Sequence, residues 1–171
     1  MAMQSINPAT GELLAEFDTW NQETLDYAVT QAGYMFDDWS KLTPIEDRCM
    51  MMKRVAEVLR DDMEPLAELI TLEMGKSIRE AQAEIEKCAW VCDFYAEKGP
   101  AFLADEMIET DASKSYVAYL PLGVVLAVMP WNFPFWQVFR FAAPALIAGN
   151  IAVLKHASNV PQCALAMEEV F

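Results

Sequence analysis

Two uninterrupted apolar runs near the carboxyl-terminal end most constrain the fold of this chain. Residues 124–129 read VVLAVM and residues 151–154 read IAVL, so neither run alternates apolar with polar positions. Such runs are typical of strands buried on both faces of a parallel sheet. The apolar segment 135–148 reads as a helix ended by Gly149, and a second helix begins near Pro161. The order of strand, helix, strand and helix predicts an α/β fold with a parallel sheet.

Charge divides the chain into two unlike parts. The net charge is −14 at pH 7, with 26 acidic residues against 12 basic ones. From residue 122 to residue 171 the only charged side chains are Arg140, Lys155, Glu168 and Glu169, whose charges sum to zero. The acidic excess therefore lies in residues 1–121. It excludes nucleic acid as a partner and disfavours an anionic membrane surface.

Start and stop signals predict a helical layer over that acidic part. Apolar residues recur at helical spacing over 25–39, and a third helix is expected over Met63–Met74. Two capping boxes, Thr43-Pro44-Ile45-Glu46 and Ser77-Ile78-Arg79-Glu80, begin the second and fourth helices. The fourth helix is expected to end at Gly99-Pro100.

A membrane-spanning helix is an alternative, because residues 115–139 carry no formal charge. Pro121, Pro130, Asn132 and Pro134 lie within this stretch, and their backbone and amide groups would need protein partners in lipid. The membrane alternative is therefore the weaker one. The amino terminus lacks the basic and apolar regions of a signal peptide, which favours a cytoplasmic protein.

The four cysteines, Cys49, Cys88, Cys92 and Cys163, are expected to be reduced thiols in that compartment. Cys88 and Cys92 are spaced i,i+4 on a predicted helix, but the single histidine, His156, is far away in sequence and no CxxC pair is present. We therefore expect no metal site.

Candidate functional residues follow the two apolar runs. Ligands bind at the carboxyl ends of the strands in doubly wound sheets, and segments 130–134 and 155–158 occupy those ends. GxGxxG is absent, so the ordinary dinucleotide fingerprint does not apply. Asn132 is interpreted either as a turn residue that bonds its own backbone, which the spacing alone favours, or as a fixed N–H donor for an oxyanion.

The two cations of this part have two interpretations each. Lys155 either seeks solvent at the end of its strand or binds a hydroxyl or phosphate group. Arg140 either extends to the surface from an apolar helix or faces an anion. His156 alone is interpreted as structural or solvent-facing.

Five short stretches, in order along the chain, form a recognisable set. They are Asn7-Pro8-Ala9-Thr10-Gly11, Glu73-Met74-Gly75-Lys76, Pro121-Leu122-Gly123-Val124, Met129-Pro130-Trp131-Asn132-Phe133-Pro134, and Gly149-Asn150 leading into Lys155. The set resembles the N-terminal part of the NAD(P)-dependent aldehyde dehydrogenase superfamily over essentially the whole chain. PWNFP, with a lysine 23 residues after its asparagine, is highly specific. Residues 95–100 and 154–157 are similar to those of bacterial succinate-semialdehyde dehydrogenases.

The resemblance implies a Rossmann-like sheet that binds NAD or NADP. Asn132 corresponds to the oxyanion-hole asparagine, and Lys155 to the lysine that bonds the adenosine ribose hydroxyls. Ser158 stands where many NAD-preferring members have glutamate, which implies that NADP is accepted as well as NAD. The loop that lines the nicotinamide ribose corresponds to Val128, Met129, Pro130 and Trp131.

The resemblance also implies a small-molecule aldehyde substrate. Arg140 corresponds to a helix position facing the substrate tunnel, where an arginine binds the far carboxylate of an aldehyde acid such as succinate semialdehyde. Gln137, one helical turn earlier, is expected to line the same tunnel.

Three parts follow from the resemblance: the N-terminal helical part (1–113), a strand of the oligomerisation sheet (114–121) and the first βαβα of the cofactor-binding sheet (122–171). A complete enzyme of this kind is expected to be a homo-oligomer. The family's nucleophilic cysteine and general-base glutamate lie beyond residue 171, so the chain is expected to be an incomplete N-terminal portion that is inactive alone. The alternative is a non-catalytic module that acts in assembly.

Overall fold

The computed structural model describes residues 3–171 as a helical layer followed by a small parallel unit. The strands are β1 (Met3–Ile6), β2 (Leu13–Phe17), β3 (Glu106–Met107), β4 (Tyr116–Val117), β5 (Val124–Val128) and β6 (Ile151–Lys155). The helices are α1 (Gln22–Asp37), α2 (Ile45–Asp61), α3 (Met63–Met74), α4 (Ile78–Phe102), α5 (Pro134–Ile147) and α6 (Pro161–Val170). A π-helical turn, Asp38–Leu42, joins α1 to α2.

The core of the helical layer forms where α4 packs against α2 and α3. Leu59, Ile70 and Ile85, one from each helix, are fully buried there. Their apolar neighbours recur every three or four positions, which gives each helix one face to bury. The predicted bounds of α3 are confirmed, and Gly75 ends this helix with a φ of 83° in the left-handed region.

The capping-box predictions are correct for where α2 and α4 begin but wrong for the hydrogen bonds. The Thr43 hydroxyl donates to the Asp38 carbonyl at 3.3 Å, which closes the π-helical turn. The Ser77 hydroxyl lies 2.8 Å from the Glu80 carboxylate and donates to it. Neither side chain caps a backbone N–H of its helix.

The prediction that Gly99-Pro100 ends α4 is also wrong, because the helix continues to Phe102. A proline this close to the end of a helix removes a single hydrogen bond, so the helix can continue for two more residues. Gly99 lies at the contact between α4 and α5, and a Cβ at residue 99 would be 2.6 Å from Cγ2 of Ile147.

The parallel sheet predicted from the two apolar runs is confirmed. β5 and β6 pair in parallel, in a register running from Val124 opposite Ile151 to Val128 opposite Lys155. α5 connects them and buries Phe135 and Phe139 completely. This arrangement puts the ends of β5 and β6 side by side.

The expectation that these strands are buried on both faces is wrong for residues 3–171. Ala127 is buried, but its neighbours Leu126 and Val128 point the other way and are 66% and 64% exposed. Successive side chains of a strand alternate between the faces of the sheet, so one face of β5 is left open.

An apolar cavity of about 770 Å³ lies between α1, α6 and the other side of the sheet. Its lining includes Ala28, Ala32, Val153, Leu154, Met167 and Phe171. No residue of α1 is buried, and Val29 is half exposed. The apolar spacing that predicts α1 is therefore correct, although its apolar face is only partly covered by the described residues.

Two antiparallel hairpins flank the helices. β1 pairs with β2 around a turn in which the Asn7 side chain accepts a hydrogen bond from the Ala9 N–H at 2.9 Å. β3 pairs with β4. β4 covers two residues, Tyr116 and Val117, and is therefore shorter than the strand expected over 114–121.

The uncharged stretch 115–139 contains β4, β5 and the beginning of α5. Across residues 3–171, the helices all fall short of the length or the apolarity that crossing a bilayer requires.

The contact at Gly99 predicts a packing-sensitive position. Gly99→Ala is expected to lower the free energy of unfolding by about 1–3 kcal/mol, because the new methyl group overlaps Ile147 and the two helices must move apart. Urea unfolding followed by circular dichroism measures this loss. Gly33→Ala is the matched control, since nothing lies within 4 Å of its new Cβ, and it is expected to stabilise α1 by up to about 1 kcal/mol. Equal effects of the two substitutions would contradict the packing argument.

Candidate functional site

The candidate site lies where β5 and β6 end. The Met129 N–H donates to the Lys155 carbonyl at 3.1 Å, so the ladder continues one residue past β5. The loop after β5 and the loop after β6 therefore begin next to each other. This geometry brings the two segments singled out from the sequence, 130–134 and 155–158, to one edge of the sheet.

His156 fastens the two loops together. Its Nε2 lies 2.9 Å from the Pro134 carbonyl, and its Nδ1 accepts the Ala157 N–H at 2.7 Å. With Nδ1 accepting, Nε2 carries the proton and the ring is neutral. Burial lowers the pKa of His156, which favours the same neutral form. The structural interpretation of His156 is therefore correct.

The residues predicted to contact cofactor share this edge, and most are open to solvent. The exposed ones are Val128, Pro130, Trp131, Lys155 and Ser158, and Met129 is partly buried. Among residues 3–171, Lys155 forms no ion pair. Its exposed ammonium group is therefore available to a ligand at this edge, and its role as a ligand-binding residue stays a prediction.

Asn132 is exposed in the middle of the loop that follows β5. Within residues 3–171 its side chain forms no hydrogen bond, so the turn interpretation, which needs a bond to the local backbone, is not supported. The loop leaves the side-chain N–H groups of Asn132 open, and an amide N–H is the kind of group that can donate to an oxyanion.

Gln137 and Arg140 lie on α5, three residues apart and therefore on the same side of the helix. Gln137 is partly buried and Arg140 is exposed. Arg140 forms no ion pair with any described residue from 3 to 171. Its guanidinium group is thus free to meet an anion from solution, and both interpretations made from the sequence stay open.

The first turn of α5 is capped from outside by Glu84, a residue that sequence reasoning missed. Oε1 of Glu84 accepts the N–H groups of Phe135 at 2.9 Å and Trp136 at 3.0 Å. Glu84 is 4% exposed, and its other oxygen pairs with Lys76. The ammonium group of Lys76 also lies 3.7 Å from the ring centroid of Phe133.

Glu73 caps α6 in the same way. Its two oxygens accept the N–H of Gln162 at 2.9 Å and that of Cys163 at 2.8 Å, and the residue is 2% exposed. Two sequence features could have predicted the caps that Glu84 and Glu73 provide. Pro134 and Pro161 begin helices with no capping oxygen before them, and each glutamate occupies an apolar face of its own helix.

Asn150, like Glu84 and Glu73, has a structural role that sequence reasoning did not predict. Its Oδ1 accepts the N–H groups of Leu122 at 2.7 Å and Gly123 at 3.2 Å, and its Nδ2 donates to the Ala145 carbonyl at 3.1 Å. These bonds tie the end of α5 to the segment entering β5. Asn150 thus positions the sheet at the end opposite to the candidate site.

The four cysteines do not supply a nucleophile for this site. All four are free and buried. Burial is the main cause that raises the pKa of each thiol, to about 12 for Cys92. Such thiols are almost entirely protonated at neutral pH. Over residues 3–171, no cluster of three or more His, Cys, Asp or Glu side chains has the geometry to hold a metal ion.

Comparison with known proteins gives one consistent result. The model of the aldehyde dehydrogenase family matches residues 1–171. A probable succinate-semialdehyde dehydrogenase (NADP+) of Synechocystis is 54% identical over the whole chain and 37% of that relative. A succinate-semialdehyde dehydrogenase (NADP+) of Mycobacterium leprae is 48% identical over 99% of the chain and 38% of that relative.

Solved structures agree. The structure of Gox0499, described for cofactor and substrate selection, superposes with a TM-score of 0.96 at 36% identity, over 99% of this chain and 37% of that one. The succinic semialdehyde dehydrogenase of Streptococcus pyogenes in complex with NADP+ gives a TM-score of 0.94 at 41% identity, with the same coverage. The chain thus spans about 37% of the length of these proteins.

The neutral, partly buried His156 predicts a pH-dependent stability. Its pKa is lowered in the folded chain from the ordinary value of about 6.5, so the unfolded chain binds more protons between these two values. The free energy of unfolding is therefore expected to fall as the pH drops through about 6.5 towards the folded pKa. Urea unfolding at a series of pH values between about 7.5 and 5 measures this change.

His156→Gln is the control, because glutamine does not titrate while the carboxylates shared by both chains do. The variant is expected to lose less stability than the unsubstituted chain over this pH range. The same slope in both would mean that another group causes the dependence.

Proposed function

This chain belongs to the aldehyde dehydrogenase family, and we propose that it forms part of an NADP-dependent succinate-semialdehyde dehydrogenase. In this proposal the chain supplies the oxyanion donor, the adenosine side of the cofactor site and an anchor for the substrate carboxylate. The observation that carries the proposal is the joint position of Asn132, Lys155 and Ser158 on one edge of a parallel sheet, in a chain 54% identical to a relative of that name.

The residues at this edge fit a dinucleotide with an adenosine ribose. NADP, when bound, accepts a hydride from the substrate. The Lys155 ammonium and the Ser158 hydroxyl are exposed donors three residues apart, at the end of β6 and in the loop that follows it, suited to ribose hydroxyls and a 2′-phosphate. The N-terminal N–H groups of α5 and α6 already bond Glu84 and Glu73, so those helix ends are not available to a phosphate. Residues 128–131 would line the ribose nearer the nicotinamide.

The proposed role of Asn132 is to stabilise negative charge that develops on the aldehyde oxygen. An exposed amide without an internal partner can direct its N–H groups at that oxygen. A donor of this kind is worth about 10²–10³ in kcat when it is preorganised. Asn132 therefore binds the reacting oxygen more tightly as the charge grows.

Arg140 is proposed to bind the far carboxylate of the substrate, with Gln137 beside it. A guanidinium group recognises a carboxylate through two parallel hydrogen bonds, which a simple aldehyde cannot make. The lack of an ion pair at Arg140 within residues 3–171 supports this role, because a prior partner would compete. Succinate semialdehyde carries the required carboxylate.

The chain alone is proposed to be inactive. A covalent route needs a thiolate, and the four buried thiols with raised pKa values do not supply one. We further propose that residues 1–113 support the cofactor-binding unit 122–171. Residues 114–121 are proposed to join an oligomerisation sheet, and the complete enzyme is proposed to be cytoplasmic.

A second candidate function is that of an assembly module. The exposed apolar side chains of Leu126 and Val128 favour it, because they could contact another chain.

Activity can be measured in a chimera in which this chain replaces the matching 37% of the Synechocystis relative. The chimera is expected to oxidise succinate semialdehyde with NADP+.

Arg140→Ala in this chimera is expected to raise the KM for succinate semialdehyde about 10- to 100-fold, because the charged hydrogen bonds to the substrate carboxylate are lost. The KM for butanal, which has no carboxylate, is expected to stay unchanged. Arg140→Lys, which keeps the charge but not the two-pronged geometry, is expected to fall between. An unchanged ratio of the two KM values after Arg140→Ala would reject this role.

The cofactor proposal predicts a separate effect at Ser158. Ser158→Glu brings a carboxylate next to the 2′-phosphate of NADP, and the repulsion is expected to raise the KM for NADP+ at least about tenfold while NAD+ is little affected. Ser158→Gln is the control of equal size without the charge. Steady-state kinetics with both cofactors measures the change, and parallel losses for NAD+ and NADP+ would argue against Ser158 as the discriminating residue.

A further inference from the structure

We propose that the buried ion pair between Lys76 and Glu84 positions Asn132, so that the helical layer controls the geometry of the oxyanion donor. This inference rests on the proposed function of Asn132. It assigns to Lys76, in the Glu73-Met74-Gly75-Lys76 stretch, a role that the cofactor and substrate sites do not explain.

The pair holds the chain on both sides of Pro134. On one side, the Lys76 ammonium lies against the Phe133 ring, 3.7 Å from its centroid. On the other, Oε1 of Glu84 accepts the N–H groups of Phe135 and Trp136. The side chains of Lys76 and Glu84 are 7% and 1% exposed, so water does not compete for these contacts.

Asn132 depends on these contacts because it has no anchor of its own. Its side chain makes no hydrogen bond within residues 3–171, and the loop is fixed only at its two ends. The Met129 N–H bonds the Lys155 carbonyl at one end. At the other end the Lys76–Glu84 pair holds Phe133 and the first turn of α5, and His156 bonds the Pro134 carbonyl. A misplacement of about 1 Å in a catalytic group can cost about 10²-fold in rate.

The positive charge of Lys76 also affects the electrostatics around Asn132. A lone carboxylate at the first turn of α5 stabilises the helix, but it also repels negative charge developing near Asn132. The Lys76 ammonium pairs with that carboxylate and offsets its charge. The ion pair thus caps the helix without opposing the oxyanion. Glu84 without Lys76 would still cap the helix but would also repel the oxyanion.

The kinetic test uses Glu84→Gln and Lys76→Met in the chimera with the Synechocystis relative. Each is expected to lower kcat about tenfold or more, with less than a twofold change in the KM for succinate semialdehyde, because the effect acts on the transition state. The double variant Lys76→Met/Glu84→Gln is expected to recover part of the loss seen with Lys76→Met, since the unpaired carboxylate is gone.

Glu73→Gln is the control, because it removes the same charge from the buried carboxylate that caps α6, where each oxygen accepts one N–H. It is expected to destabilise the fold comparably and to keep kcat within about twofold of the unsubstituted chimera. Equal kcat losses for Glu73→Gln and Glu84→Gln would reduce the pair to a structural role and overturn the inference.

Nuclear magnetic resonance of this chain tests the same point without turnover. Glu84→Gln is expected to speed amide exchange of Phe135 and Trp136 at least about tenfold and to shift the side-chain amide signals of Asn132, while Cys163 keeps its protection. Unchanged Asn132 signals would overturn the positioning role. An unsubstituted chimera without activity would instead contradict the proposed function, and the resonance measurement would still decide the inference.

Discussion

Two carboxylates buried in the helical layer hold the parallel unit in place. α5 and α6 each begin with a proline that follows a residue without a capping oxygen, so their first N–H groups need partners from elsewhere. Glu84 and Glu73 supply them across 51 and 89 residues of sequence. A carboxylate at a helix N-terminus is favoured by the helix dipole and by charge-assisted hydrogen bonds. These two contacts, together with the apolar core shared by α4 and α5, fix the placement of the layer relative to the βαβα unit.

The same contacts decide what kind of ligand site the sheet edge can form. In the common dinucleotide folds the first helix directs its N-terminus at a phosphate. Here that position at α5 is taken by Glu84, and the loop before it carries a proline-stiffened asparagine instead of glycines. In the proposed function, recognition at this edge therefore relies on side chains such as Lys155 and Ser158. The sequence lacks the GxGxxG loop that would bind a phosphate, and in the structure Glu84 occupies the helix end that would bind it.

Sequence reasoning predicted those elements whose signals are local. The bounds of α3, the parallel pairing of β5 with β6 and the meeting of segments 130–134 and 155–158 all follow from periodicity and strand order. Quantities that depend on distant partners could not be predicted in this way. The exposure of Leu126 depends on which elements cover the sheet, and the close approach of Gly99 to Ile147 depends on how α4 packs against α5.

The candidate site was predictable to a similar degree. The residues that reach solvent, Asn132, Lys155 and Arg140, stand out as isolated polar groups in apolar sequence. Glu73 and Glu84 did not, because in an acidic chain a glutamate is ordinarily a solvated residue. Only their position on apolar helix faces separates them from the other acidic residues.

The long reach of the two caps has a consequence for the order of folding. The ribosome completes α3 and α4 before the helices that they cap exist, and their mutual contacts are short in sequence, so the layer can form early. Until α5 and α6 emerge, the carboxylates of Glu73 and Glu84 lack the N–H groups that satisfy them. Glu84 already pairs with Lys76, but the hydrogen-bond partners of Glu73 come from α6, and an unsatisfied charge resists burial until that helix arrives. Burial of the Glu73 carboxylate and docking of α6 are therefore expected to occur together.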